Sequence, residues 1–343
     1  MVQQLDRNLA LELSRVTEAA ALAAGRWMGR GDKEAVDRAA VEAMRFALQS
    51  VDMDGVVVIG EGEKDRAPML YIGERVGNGQ PPAVDVAVDP IDGTGITASG
   101  LNGAISVIAL AEQSTLFVTP LAYMEKLVVG PRARGMVRLD APPAENLEAV
   151  AVALDREVRD LTVVVLNRPR NDHLIRHVRE AGARIRLIGD GDIAASIQVA
   201  LGDQGVDVLM GIGGAPEGVI TACVLACLGG DMQARLWAKT DEDRALAHAE
   251  AIDLDRILTL EDLCRGRDVF VAATGVTDGD LLTGVRYFRD GAVTQSLVMR
   301  SMSGTVRWID ARHDLSRLRQ LAGGRYDGVA HPVPPPSQRA AHS

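Results

Sequence analysis

Aromatic residues make up only 3% of this 343-residue chain, too few to build the stacking platforms that hold single-stranded nucleic acids. Positive charge is not in excess either. Lys and Arg number 37 against 47 Asp and Glu, a formal net charge of −10, and the sequence pI is about 5.2. An electrostatic grip on nucleic acid or on an anionic membrane is therefore not expected. Cysteine is scarce: Cys223, Cys227 and Cys264 form no CxxC pair, and an odd count closes no disulfide framework. A reducing, cytoplasmic compartment is the expectation. Long apolar runs are missing as well. The N-terminal stretch LDRNLALELSRVTEAAALAAGRWMG is interrupted by Asp6, Arg7, Glu12, Arg15 and Glu18, which argues against a signal h-region or a membrane span. What the chain does have is a surplus of carboxylates, suited to holding divalent cations.

The length allows one two-lobed unit or two domains with a sizeable core. Apolar residues at three- and four-residue spacing predict helices over about 3–28 and 33–50, with Asp32 placed to cap the second. Strand-like runs follow at 56–59, 84–88, 104–110, 115–118 and 126–129, so the first half reads as helices packed on a mixed sheet. From about 145 strands at 161–166, 184–188 and 206–210 alternate with helices near 171–182, 192–201 and 216–228, which predicts a parallel α/β second lobe. Domains are accordingly expected over 1–150 and 151–325. Asp290-Gly291 sits at the centre of a hairpin signal, and 305–309 reads as the final strand. The Pro-rich polar tail, 331–343, reads as disordered.

Acidic clusters recur where these strands end: GEGE at 60–63, DPID at 89–92, GDGD at 189–192, and Glu217 within GIGGAPEG. In α/β sheets ligands bind in the crevice outside the carboxyl ends of strands. An isolated DG turn or GEGE loop is usually a solvated surface turn; their recurrence is what points to a single pocket. Bunched carboxylates repel unless neutralised, and Mg²⁺ or Mn²⁺, which takes oxygen ligands, removes the conflict without histidine or thiolate. In the DPIDGT turn Pro90 fixes one φ, Gly93 allows close backbone approach, and Thr94 presents a hydroxyl.

DPIDGT resembles the signature of the lithium-sensitive, metal-dependent sugar phosphatase superfamily, whose fold is a layered αβαβα sandwich. More specifically, the chain is similar to class II fructose-1,6-bisphosphatases through SRVTEAAALA (14–23), GRGDKEAVDRAAVEAMR (29–45), GEGEKDRAPMLYIGE (60–74), VDVAVDPIDGT (84–94), YMEKLVVGP (123–131), DGDIAASI (190–197) and GIGGAPEGV (211–219). The resemblance implies that Asp37 and Glu61 hold one metal, and that Asp89, Asp92 and Glu217 surround a second. It places Asp92, Gly93, Thr94, Tyr123, Arg168, Pro169, Arg170, Asp190, Gly191, Asp192 and Gly214 against substrate. Arg168 and Arg170 suit the phosphate that is not cleaved, and Asp190 and Asp192 suit sugar hydroxyls. The implied reaction is hydrolysis of the 1-phosphate of fructose 1,6-bisphosphate to fructose 6-phosphate, a step of gluconeogenesis, with Mn²⁺ or Mg²⁺ as cofactor. Thr94 would orient the attacking water, with Asp37 or Glu61 as proton relay. A homo-oligomer is expected from the family and from base rates.

This chain departs from the class II pattern at three positions. Asp92 stands where that pattern has glutamate, Gly95 where a larger, often basic residue is expected, and Arg168 where lysine is familiar. The superfamily's later Trp-Asp motif is missing, since Trp237 precedes Ala238, and Glu217 takes its role. Alternative readings are activity on sedoheptulose 1,7-bisphosphate or an inositol phosphate, or a catalytically silent sugar-phosphate sensor. The paired arginines favour a bisphosphate, and the intact acids with Thr94 argue against a sensor. His173 and His177 lack the acid of HExxH and read as structural or surface residues, and Cys223 and Cys227 as core packing. GIGGAPEG is no Walker loop, for no GK[ST] follows.

Overall fold

The computed structural model describes residues 9–61 and 70–321; residues 3–8 of the expected first helix, Glu63 and the 331–343 tail lie outside them. Helix α1 (Leu9–Ala24) ends in a 3-10 turn at Gly25–Trp27. Helix α2 (Lys33–Leu48) begins as expected, with the Asp32 carboxylate accepting from the Ala35 N–H at 2.9 Å. Strands β1 (Asp54–Ile59), β2 (Arg75–Val76) and β3 (Ala83–Asp92) follow, then the short α3 (Thr94–Ala98) and β4 (Ile105–Glu112). The segment 115–118 is not a strand; only Leu116 makes a bridge, to Cys264.

Next come β5 (Tyr123–Val129), α4 (Pro143–Leu154), β6 (Thr162–Leu166), α5 (Asp172–Glu180), β7 (Arg184–Ile188) and α6 (Asp192–Leu201). They are followed by β8 (Val208–Gly214), α7 (Ala215–Leu228), β9 (Asp231–Leu236), α8 (Asp241–Ala249), β10 (Leu258–Thr259) and α9 (Leu260–Leu263). The chain closes with β11 (Phe270–Gly275), β12 (Arg286–Phe288), β13 (Gly291–Arg300), β14 (Thr305–Asp314) and α10 (Leu315–Leu321). The last strand is thus longer than the expected 305–309.

Among the described residues the strands form two sheets. One is eight-stranded, in the order β12-β13-β11-β4-β3-β1-β2, with β14 on β13; the other is six-stranded, β10-β9-β5-β8-β6-β7. The second sheet is mixed rather than parallel. Only β7-β6-β8 run parallel, because β5 and β9 pair antiparallel. A boundary at residue 150 does not follow the sheets either: β5 belongs to the second, while β11–β14 return to complete the first. The second sheet is in effect an insertion between β4 and β11.

The layers follow from which faces are apolar. Helices α1 and α2 cover one face of the first sheet. Helices α6 and α7 lie between the sheets, and the α7 stretch VITACVLACL packs Val219, Ile220, Val224 and Leu225 into a core shared by both. A helix apolar all round is what a central layer requires. Helices α4 and α5 cover the outer face of the second sheet through Leu147, Val150, Ile175 and Val178. The result is the expected αβαβα sandwich, with Cys223 and Cys227 inside the shared core. The hairpin turn falls one residue earlier than expected. Phe288 pairs with Gly291, so Arg289 and Asp290 form the turn, and a Cβ on Gly291 would press on the Phe288 ring and the His313 carbonyl.

Candidate active site

The expected acids arrive at one end of the two sheets. Glu61 follows β1, Asp190 follows β7 and Gly214 closes β8, while Tyr123 opens β5, which runs antiparallel to β8 and so starts at that same end. Asp89 and Asp92 do not sit in a turn after the strand; they lie on β3 itself. The register against β4 shifts between them, a bulge that carries the strand through DPID. The bulge is held by the Asp89 carboxylate, whose Oδ1 accepts from the Ile91 N–H at 3.1 Å. Asp92 reaches across to the second lobe, its Oδ2 accepting from the Ile193 N–H of α6 at 2.9 Å. Gly93 then adopts φ 107°, a conformation that favours glycine, and starts α3 with Thr94 as its first residue. The Thr94 hydroxyl donates to the Ile91 carbonyl at 3.2 Å, which leaves its oxygen free to accept.

A cleft of about 320 Å³ is lined by Asp92, Tyr123, Arg168, Arg170, Asp190, Gly191, Asp192, Gly214 and Glu217, together with Ala122, Leu166 and Pro216. Thus most of the expected substrate residues share one wall. Gly93, Thr94 and Pro169 adjoin that wall in the chain without lining it, and Asp37, Glu61 and Asp89 lie beyond it, linked through Glu217. Arg170 is fixed by donating from Nε to the Ile212 carbonyl at 3.0 Å, and its guanidinium lies 4.8 Å from the Tyr123 ring centre. Arg168 pairs with Asp190 at 3.8 Å.

The electrostatics of the acids are those of a cluster that its neighbouring cations compensate only in part. Burial raises Glu61 to about 8, reinforced by Asp37 and Glu217. Burial, then Asp92, Glu217 and Glu61, pushes Asp89 well above the carboxylate range. Asp92 is raised in the same way by burial, Asp192 and Glu217. Asp37 is raised by burial, offset by a hydrogen bond with Glu61. Glu217 is raised by burial and Asp192, with Lys126 opposing. Its Oε2 and the Oδ1 of Asp192 are closed off from solvent without a hydrogen-bond partner. Among the described residues, no three acid, histidine or cysteine side chains form a ready metal cage; the acids form a chain of neighbours, with Asp37 and Glu61 hydrogen-bonded to each other. An all-oxygen donor set with orphaned buried carboxylate oxygens fits a hard divalent cation that needs one or two carboxylates and completes its shell with water and phosphate.

Lys126 and Lys239 near this wall escaped the sequence reading, as did Lys33, whose ammonium shares the space over Gly95 with Asp190. Lys126 is buried against Asp192, and its only signal was a charge inside the apolar strand MEKLVV. Lys239 places its ammonium 5.5 Å from the Tyr123 ring centre, the ring that also meets Trp237 edge to face, and carries no local sequence signal. His173 and His177 pack edge to face on α5, 3.9 Å apart, and do not line the cleft.

The family of bacterial fructose-1,6-bisphosphatases, glpX-encoded, matches residues 7–313. A D-fructose 1,6-bisphosphatase class 2/sedoheptulose 1,7-bisphosphatase of Synechococcus sp. (strain JA-3-3Ab) is 47% identical over 334 residues, covering 90% of this chain and 96% of that protein. Fructose-1,6-bisphosphatase 1 class 2 of Escherichia coli (strain K12) is 48% identical over 324 residues, covering 91% of this chain and 96% of its own length.

Proposed function

Since this chain belongs to the class II fructose-1,6-bisphosphatase family and is a metal-dependent phosphoric monoester hydrolase acting on fructose 1,6-bisphosphate, we propose that the 1-phosphate is cleaved where Asp89, Asp92, Thr94 and Glu217 meet. The observation that carries this placement is the chain of raised carboxyls running from Asp37 to Glu217, whose Oε2 has no hydrogen-bond partner, ending at an arginine-bearing cleft. Asp37, Glu61, Asp89 and Glu217 are the residues that would hold Mn²⁺ or Mg²⁺. A cation held there would supply charge to neutralise phosphoryl oxygens and to make water a stronger nucleophile at neutral pH. Asp92 differs from the others in this reading. One of its oxygens is committed to the Ile193 N–H, so the shorter side chain ties β3 to α6 and offers the metal its remaining oxygen.

The protein's own groups supply orientation. Thr94 accepts a hydrogen bond from the attacking water, because its proton already goes to the Ile91 carbonyl. Asp37 and Glu61, hydrogen-bonded neighbours, are the groups placed to relay the proton that water gives up. Arg170, braced on Ile212 and Tyr123, holds the distal phosphate, and Arg168 exchanges Asp190 for it as substrate enters. Asp190 and Asp192 accept from sugar hydroxyls, and Glu217 stands in the first turn of α7, whose N-terminal dipole favours the anion nearby.

The direct test is phosphate release from fructose 1,6-bisphosphate with Mn²⁺ or Mg²⁺, beside a chelated control, inositol 1-phosphate and sedoheptulose 1,7-bisphosphate. The last is included because the Synechococcus relative's name carries both activities. Metal-dependent release from the fructose ester, with none from inositol 1-phosphate, is the expected result. Thr94→Ala is expected to cut kcat by roughly 100-fold or more while leaving Mn²⁺ binding by calorimetry unchanged. Full turnover in that variant sinks the role given to Thr94.

A further inference from the structure

Lys126 lies on β5, an interior strand, and is only 2% exposed. A buried ammonium costs several kcal/mol unless it is paired and hydrogen-bonded. Here Nζ donates to Asp192 Oδ2 at 2.5 Å and to the Gly214 carbonyl at 3.2 Å. Its charge also reaches Glu217. Lysine thus touches a cleft-lining acid of α6 and the last residue of β8, just before α7.

The glycines of GIGGAPEG form the mould around this group. A Cβ on Gly213 would overlap Asp192 Oδ2 and lie 2.8 Å from Lys126 Nζ. On Gly218 it would overlap the Met124 sulfur and lie 3.3 Å from Lys126 Cδ, and on Gly214 it would collide with the Glu217 carboxylate. With Oδ2 held by the ammonium, Asp192 keeps Oδ1 as an unpartnered acceptor on a residue that lines the cleft.

We propose that Lys126 is a positioning residue and the resident cation of the acid cluster: it anchors Asp192 for substrate and weakens the pull of Glu217 and Asp192 on divalent ions, so that metal is held less tightly than the acids alone would hold it. This rests on the metal-dependent reading above. The charge role and the anchoring role separate in two variants. Lys126→Gln keeps hydrogen-bond donors and loses the charge; Lys126→Met loses both.

Mn²⁺ binding is measured by calorimetry on the folded, metal-stripped chain, and KM and kcat on the metal-loaded one. Both variants are expected to bind Mn²⁺ roughly three- to tenfold more tightly than wild type, since one positive charge close to the ligands is gone. Lys126→Met is also expected to raise KM for fructose 1,6-bisphosphate more than it lowers kcat, whereas Lys126→Gln leaves KM near wild type. In Lys126→Met with Asp192→Asn, Mn²⁺ affinity returns toward the wild-type value. Unchanged or weaker Mn²⁺ binding in folded Lys126→Gln overturns the proposal. A wild-type chain that binds no Mn²⁺ and releases no phosphate instead overturns the metal-dependent reading beneath it.

Discussion

At Glu18, burial on α1 lifts a carboxyl to about 7 against the opposing pull of Arg15 and a hydrogen bond with Ser296. A folded value above the unfolded one favours the protonated form. The contribution is therefore full below about pH 4.5 and is lost as pH rises through about 7. Glu18→Gln is expected to leave stability at pH 4.5 nearly unchanged and to raise it at pH 8 by roughly 1–3 kcal/mol. Urea melts at the two pH values measure the difference. Asp37, Asp89, Asp92 and Glu217 are raised in the same direction, and Glu61 to about 8. The acids of 60–63, 89–92, 189–192 and Glu217 were legible in the sequence because they recur, among glycines, where strand-like runs end; Asp37, inside α2, was indicated only by the family resemblance. Lys126 was not legible, because a lysine within an apolar strand shows its purpose only when Asp192, far along the chain, is seen against it.

Among the elements, β3 and the β8–α7 junction decide the site. A tight turn was the natural reading of DPID, since Asp, Pro and Gly are turn formers. Pairing with β4 overrides that preference: the bulge keeps Asp89 and Asp92 on the strand and turns both toward the acids. The β8–α7 junction was placed well from sequence, with α7 at Ala215–Leu228 against an expected 216–228. The need for its glycines was not visible there, because none of Gly213, Gly214 and Gly218 has a positive φ; the reason is contact. Gly213→Ala is expected to destabilise the fold by roughly 1–3 kcal/mol through overpacking and to raise KM by displacing Asp192. Gly182→Ala, where a Cβ meets nothing within 4 Å, serves as the comparison for general alanine effects, its own cost coming from φ 90°. Denaturant midpoints and KM of the two variants test the assignment.

For the whole molecule, metal held by the acid cluster as proposed would be coupled to folding. Glu61 and Asp37 come from the layer of α1, α2 and the first sheet, Glu217 and Asp192 from the helices between the sheets. A cation drawing on both layers binds the native arrangement and not the unfolded chain. Mn²⁺ at 100 times its Kd is expected to add about 2.7 kcal/mol per site. The gain in thermal midpoint should be larger at pH 8 than at pH 5.5, because protons compete for the raised carboxyls, and chelator should abolish it. An equal gain at both pH values, or none, counts against the acids as ligands.

Local sequence determined the composition of the layers, most helix positions and the acids themselves, because amphipathic period, capping residues and turn chemistry act over a few neighbours. Only the tertiary structure decided that β11–β14 return to the first sheet, that β5 and β9 make the second sheet mixed, and that Lys126 sits between Asp192 and Gly214. Those outcomes depend on pairing between segments more than fifty residues apart, where the choice of partner is set by which faces can be buried together and which buried charges can be matched.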